Sequence, residues 1–137
     1  MALTKFRQTE NAVYAKVSDQ HTEMSLEISV RKGPKPVSAG YEKADGSFVE
    51  IWTLSVDDFL AEKAAAYSNR RLIRDLYDVF FLLGKTDSIR NARKELNELV
   101  SNFKVPLDEK NLKILMFSGV APSSEAMLQK IRRRIST

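Results

Sequence analysis

The hydrophobic pattern of this 137-residue chain changes its period near residue 55. Before that point apolar and polar residues alternate, most clearly in MSLEISV, where Glu27 and Ser29 fall on the face opposite the apolar side chains. An alternation with period two is typical of β-strands that have one apolar face. Turn signals such as Asp45-Gly46 separate the alternating runs. The first part of the chain therefore predicts about four antiparallel strands.

After residue 55 the apolar residues recur at helical spacing almost to the end of the sequence. Strands followed by helices are typical of the α+β class, here a small antiparallel sheet and then a bundle of about five helices. We predict one domain, with a strand-rich lobe over 1–54 and a helical lobe over 55–137. The expected helices are 56–67, 72–83, Ser88 to about residue 100, one with Pro106 in its first turn, and one capped by Ser123 or Ser124.

Composition restricts the class of protein. The hydrophobic fraction of 43% and the charged fraction of 29% are those of a globular domain, and no apolar run approaches the roughly 18 residues that span a bilayer. The sequence has no cysteine, which excludes disulfides and thiolate chemistry and permits a reducing compartment. Its first residues, MALTKFRQTENAVY, have neither an apolar core nor a small-residue cleavage site, so we expect a cytoplasmic location. A net charge of +4 is compatible with an acidic partner such as a nucleotide or nucleic acid.

The segment KAAAYSNRRLIRDLYDVFFLL, residues 63–83, places charged residues in an apolar run. Charged groups among buried apolar ones are costly unless they are paired, solvated or used chemically. Arg70, Arg74 and Asp78 follow Lys63 by 7, 11 and 15 residues, close to multiples of the helical repeat. Two helices hinged at SNRR would therefore direct these four side chains into one cleft between the strand layer and the helices.

The remaining aspartate of this segment, Asp75, points elsewhere on the helix, and Arg71, four residues earlier, is a partner for it. The pattern by itself is most typical of an ion-pair network that ties two helices together. The aromatic residues Trp52, Phe80 and Phe81 are expected to build the core between strands and helices.

The same segment and its lead-in LSVDDFLAEK resemble the signature of the abortive-infection nucleotidyltransferase toxins, the AbiEii type within the DNA polymerase β-like superfamily. In that signature a lysine is followed by an arginine, an Arg-Asp pair and a further aspartate. Lys63, Arg70, Arg74-Asp75 and Asp78 match this arrangement. The resemblance is specific over about residues 50–84 and looser over the strands before them.

The resemblance implies nucleotidyl transfer from an NTP to an acceptor RNA such as tRNA, in a type IV toxin–antitoxin or phage-defence system. It implies that Lys63 holds the triphosphate, where its compact charge offsets developing phosphate charge. Arg70 and Arg74 are implied to contact phosphate or to shape the pocket. Asp75 and Asp78 are implied catalytic residues, one of which positions Lys63 or acts near the metal.

Glu27 resembles the third carboxylate of the superfamily, which helps to hold Mg²⁺. A solvent-facing strand glutamate is the other interpretation. The superfamily places a Gly-Ser pair and an Asp-x-Asp before this carboxylate, and the 26 residues ahead of Glu27 contain neither motif. A similar spacing of a Gly-Ser pair and acidic residues occurs in Gly46-Ser47 and Asp57-Asp58. However, this stretch lies after Glu27, begins in a turn and ends at a helix cap. We interpret it as a coincidence.

Three functions remain open at this point. In the first, the chain is the C-terminal part of a toxin whose N-terminal half is a separate polypeptide. In the second, it is a homologue that binds NTP or RNA without turnover. The third is a non-catalytic binding or interaction protein descended from such an enzyme. An antitoxin is the expected partner of a toxin. The basic end of the sequence, Arg132–Arg134, either contacts RNA phosphates or is a solvated face suited to a helix C-terminus.

Overall fold

The computed structural model describes residues 2–30, 32–116 and 118–136. Within them, five strands precede five α-helices, which confirms the predicted α+β class. The strands are β1 Ala2–Gln8, β2 Ala12–Ser18, β3 Glu23–Ser29, β4 Val37–Glu42 and β5 Phe48–Thr53. The helices are α1 Val56–Arg70, α2 Ile73–Leu82, α3 Arg93–Ser101, α4 Leu112–Leu115 and α5 Ser124–Ile135, with a 3-10 turn at Glu109–Asn111. No described helix is long and apolar enough to cross a membrane.

The chain divides into two compact units, Met1–Pro34 and Lys35–Thr137. The first unit is a three-stranded antiparallel sheet in the order β1-β2-β3. The register of β2 and β3 sets Ala15 opposite Leu26, so the apolar residues of both strands share one face, as the alternation predicts. The prediction of a single domain with two lobes stays a prediction.

The strand that the sequence does not reveal is β1. Its apolar residues Leu3 and Phe6 are three positions apart, which is not the spacing of one strand face. A register shift between Leu3 and Lys5 explains this spacing, because Leu3 pairs with Val17 and Phe6 with Ala15, two positions apart on β2. The irregularity places both side chains on the apolar face. It also interrupts the period-two alternation, so the sequence pattern does not indicate this strand.

The second unit begins with a separate two-stranded hairpin of β4 and β5. Its turn lies at the predicted Asp45-Gly46, where Gly46 has a positive φ of 79° and the Asp45 carboxylate accepts a hydrogen bond from the Ser47 amide. The expectation that Trp52 builds the core is wrong, since this side chain is 76% exposed opposite Ser38. Strand periodicity indicates which residues share a face but not what covers that face.

The buried core belongs to the helices of the second unit. Phe80 packs against it as expected, whereas Phe81 is half exposed. The fourth predicted helix, from Pro106, is replaced by the 3-10 turn and α4, and the third begins at Arg93 rather than at Ser88. The fully or almost fully buried core residues of the longer helices are Leu60, Ala64, Tyr67, Ile73, Leu76, Val79, Leu96, Leu99, Met127, Leu128 and Ile131.

Tyr67 gives a test of this core. Its hydroxyl donates a hydrogen bond of 2.6 Å to the Lys104 carbonyl, and burial raises the pKa of Tyr67 to about 12. We expect Tyr67→Phe to lower the free energy of unfolding by about 1 kcal/mol at pH 7. The unfolded chain releases the phenol proton near pH 10, before the folded chain does, so the wild-type protein loses stability between about pH 10 and 12.

The stability difference between the wild-type protein and Tyr67→Phe should therefore shrink as the pH rises through this range. Urea unfolding followed by circular dichroism at pH 7 and pH 11 measures the difference. Because both proteins contain the same lysines, their titration cancels in the comparison. A difference that stays constant or grows with pH would contradict the assignment.

Candidate functional site

A sharp turn at Arg71 joins the two helices that carry most of the predicted site residues. Arg71 ends α1 in the left-handed region, with φ 55°, and its amide donates to the Tyr67 carbonyl. This conformation is uncommon for a residue other than glycine. Two contacts hold it, since the Arg71 guanidinium donates to the Val105 carbonyl at 2.6 Å and the Leu107 amide donates to the Arg71 carbonyl at 3.0 Å. The turn sends α2 back along α1.

The start of α2 is fixed by a residue that the sequence does not identify. The Ile73 amide, in the first turn of α2, donates a hydrogen bond of 2.7 Å to the carboxylate of Asp108. Free amides of a first helical turn need such an acceptor. Asp108 is 35 positions further along the chain, so no local capping pattern could reveal this role.

An ion pair with one buried member links the end of α1 to the start of α2. Arg70 Nε and Nη2 donate to the two carboxylate oxygens of Asp75, each at 2.7 Å. The Asp75 side chain is completely buried, whereas that of Arg70 is 49% exposed. The hydrogen bonds and charge of Asp75 raise the pKa of Arg70 above its ordinary value, so this guanidinium stays charged. The prediction that Arg71 is the partner of Asp75 is wrong, because the turn directs Arg71 to Val105.

A second ion pair lies further along the two helices and is open to solvent. Lys63 Nζ, on α1, is 2.6 Å from Asp78 Oδ2, on α2. The two side chains are 32% and 39% exposed. Of the two aspartates implied to position Lys63, Asp78 is the one in contact with it. A ligand in solution can therefore reach the ammonium group without unfolding any part of the helix pair.

Arg74 is exposed on α2, one helical turn before Asp78. Its side chain makes no hydrogen bond or ion pair with any residue that the structure describes. The structure thus brings Lys63 and Asp78 together, engages Arg70 with Asp75, and leaves Arg74 available to a ligand. The catalytic and binding roles given to these residues stay predictions.

Glu27 belongs to the first compact unit and lies on β3, exposed and opposite Tyr14. Mg²⁺ is usually held by one or two carboxylates together with substrate phosphates. The neighbouring acid on the same face of β3, Glu23, is already paired with Lys16. Across residues 2–30, 32–116 and 118–136, no three His, Cys, Asp or Glu side chains form a group suited to a metal. Glu27 thus has, among the described residues, neither a free acid beside it on β3 nor a group of three such ligands around it, and the Mg²⁺ role implied for it stays a prediction.

The aspartates that imitate a metal motif have structural partners. Asp57 is buried and accepts hydrogen bonds from the amides of Asn91 and Ala92, at 2.9 and 3.2 Å. Asp58 accepts a hydrogen bond from the Ser55 hydroxyl, and its own amide donates back to that oxygen. These contacts cap α1 and fasten the loop before α3 to it, in agreement with the interpretation that the motif-like spacing is a coincidence.

The fold and the site together define an α+β protein that presents a lysine and an aspartate between two helices, which a fixed turn at Arg71 joins. The chain belongs to the nucleotidyl transferase AbiEii toxin family of type IV toxin–antitoxin systems, whose family model matches residues 4–136. The resemblance seen in the sequence is thereby confirmed. Neither the curated proteins nor the solved structures give a match to the chain.

The two ion pairs should differ in their importance for stability. Arg70→Ala leaves a buried carboxylate without its partner, and we expect it to lower the free energy of unfolding by about 3 kcal/mol. Lys63→Ala removes a solvent-exposed pair and should cost less than about 1 kcal/mol. Urea unfolding of the two variants at neutral pH, with Arg74→Ala as an exposed control, measures both effects. Equal losses for Arg70→Ala and Lys63→Ala would contradict the distinction.

Proposed function

We propose that this chain binds the triphosphate of an NTP through Lys63 and takes part in nucleotidyl transfer to an RNA such as tRNA. The observation that carries the proposal is the 2.6 Å contact between Lys63 and Asp78, in which both side chains remain partly exposed. The carboxylate orients the ammonium group and leaves N–H donors for phosphate oxygens, since an ammonium group has three. Membership of the nucleotidyl transferase family supports the class of substrate.

Arg74 supplies a second cation for the same ligand. It is one helical turn from Asp78 and has no partner among the described side chains. With Arg70 neutralised by Asp75, the charges of Lys63 and Arg74 exceed that of Asp78 by one. A guanidinium can donate two parallel hydrogen bonds to a phosphate, which favours an anionic ligand at this place.

Transfer itself needs carboxylates that this sequence does not contain. In the reaction an acceptor hydroxyl oxygen bonds to the α-phosphorus, the bond to the pyrophosphate oxygen breaks, and the hydroxyl proton passes to water. The sequence has no Asp-x-Asp. We propose that a separate chain, equivalent to the N-terminal half of such a toxin, supplies this motif, and that an antitoxin is a further partner. Lys63 would stabilise the charge that develops on the pyrophosphate. We infer a cytoplasmic location, where NTPs and RNA occur.

The missing Asp-x-Asp also favours a second candidate, a protein of this family that binds NTP, RNA or another partner without turnover. Incubation with tRNA and an NTP labelled at the α-phosphate separates the two. Label in the tRNA, with the chain alone or with a companion chain that carries Asp-x-Asp, supports transfer. Nucleotide binding without label in either case supports the second candidate.

Calorimetric titration with each of the four NTPs in the presence of Mg²⁺ tests the binding site directly. We expect the wild-type chain to bind at least one NTP, and Lys63→Ala to weaken that binding by at least about tenfold because a charge-assisted contact to phosphate is lost. Lys113→Ala removes the same charge from an exposed position on α4 and serves as the matched control.

Binding that survives Lys63→Ala unchanged would overturn the proposed site. A loss of folding in Lys63→Ala would favour a purely structural ion pair. Equal weakening by Lys113→Ala would mean that overall charge, rather than the position of Lys63, determines affinity.

A further inference from the structure

Positive charge is concentrated in two segments of the helical unit. Segments 85–94 and 130–134 contain eight lysines and arginines and one aspartate, a balance of +7. The whole chain has a net charge of +4, so the remaining residues have a balance of −3. The rest of the chain is slightly acidic, so the cations are clustered. Such clustering is typical of a surface that binds a polyanion.

The two segments meet around a surface depression between the start of α3 and the end of α5. Its volume is about 470 Å³. Three arginines and one acidic side chain contribute to its wall, and we call it the arginine depression. It is lined by Asp87, Ser88, Ile89, Arg90, Arg93 and Arg134.

Backbone carbonyls, rather than carboxylates, hold two of these arginines in place. Arg134 Nη2 donates to the Thr86 carbonyl at 3.0 Å, and Arg93 Nη1 donates to the Ile135 carbonyl at 3.3 Å. Arg134 Nε is buried and has no hydrogen-bond partner in the described part of the chain. A guanidinium has five N–H donors, so both arginines keep donors for a ligand. Their positive charges are positioned without being neutralised.

Arg90 is different because the fold does not use its side chain. It is exposed and makes no hydrogen bond or ion pair within the described ranges. The acid of the depression, Asp87, forms no ion pair with the described residues either. The arginine depression therefore presents three cations and a single carboxylate to solvent.

The loop that forms one wall of the depression is fastened to the beginning of α1. The Ala92 amide, next to Arg93, donates to buried Asp57 in the first turn of α1. Lys63 is six residues further along this helix, a rise of about 9 Å. Arg70, at the far end of α1, is about 20 Å from Asp57 along the axis. The depression thus lies toward the end of the helix pair opposite the Arg71 turn, and Lys63 lies near the middle of α1, about equally far from both ends.

We propose that the arginine depression binds the phosphodiester backbone of the acceptor RNA. The proposal rests on the proposed function, in which an RNA receives the nucleotide at the Lys63 site. Arginine suits this role because its planar fork matches phosphate oxygens, and because sequence-independent phosphate contacts fix the position of a nucleic acid. Lys85 and Lys130 extend the positive charge beside the depression, seated over the rings of Phe81 and Phe80.

Fluorescence anisotropy with a 5′-labelled, mixed-sequence single-stranded RNA, without NTP, tests the proposal. We expect Arg90→Glu to weaken RNA binding by about tenfold at low salt, because one phosphate contact becomes a repulsion. The slope of log affinity against log salt should become shallower by about 0.7 to 1. Lys113→Glu makes the same charge change at an exposed position on α4, outside the depression, and should leave the affinity within about twofold of wild type.

RNA affinity that is unchanged in Arg90→Glu would overturn the proposal, and so would an equal loss in Lys113→Glu. Binding of poly-glutamate through Arg90 as tightly as RNA would also overturn it, in favour of an acidic protein partner. The RNA titration contains no NTP, and the nucleotide titration contains no RNA. Failure of the arginine depression and failure of the NTP site therefore give different results, one in the RNA titration of Arg90→Glu and the other in the nucleotide titration of Lys63→Ala.

Discussion

The buried carboxylate of Asp75 is the constraint on which the geometry of the site depends. An ionised carboxylate without access to water must have a partner for as long as the chain is folded. Arg70, the last residue of α1, supplies two hydrogen bonds to it, and Arg71 adopts a left-handed conformation that turns the chain between them. This link sets α2 against α1, and the contact between Lys63 and Asp78 follows from that placement.

The two ion pairs use similar residues for different purposes. Arg70 and Asp75 satisfy each other in a bidentate pair at the turn, and such a pair has little left to offer a substrate. Lys63 and Asp78 are partly solvated, so their mutual attraction is weak and a phosphate can compete for the ammonium group. The first pair makes the arrangement rigid, and the second keeps a charged group accessible in a fixed position. Preorganised charges of this kind promote phosphoryl transfer because they position the reactants and stabilise the charge of the transition state.

The sequence predicts the features that have local causes. The change of hydrophobic period, the Asp45-Gly46 turn and the Ser123 cap are each encoded within a few residues, and the structure contains all three. Contacts between distant segments are not predictable in this way. Asp108 caps α2 from 35 positions away. Because the chain turns at Arg71, the partner of Asp75 is Arg70 and not the expected Arg71. Trp52 shows the same limit, since its strand is predicted and its exposure is not.

In the proposed site Lys63 contacts the nucleotide while Arg70 stays paired with Asp75. Nuclear magnetic resonance of the lysine and arginine side-chain nitrogens, recorded during titration with an NTP and Mg²⁺, observes both groups in one experiment. We expect the Lys63 Nζ signal to shift with nucleotide concentration and the Arg70 Nε signal to stay unchanged. A shift of Arg70 Nε with Lys63 unchanged would mean that the nucleotide binds at Arg70 and would overturn the proposed site.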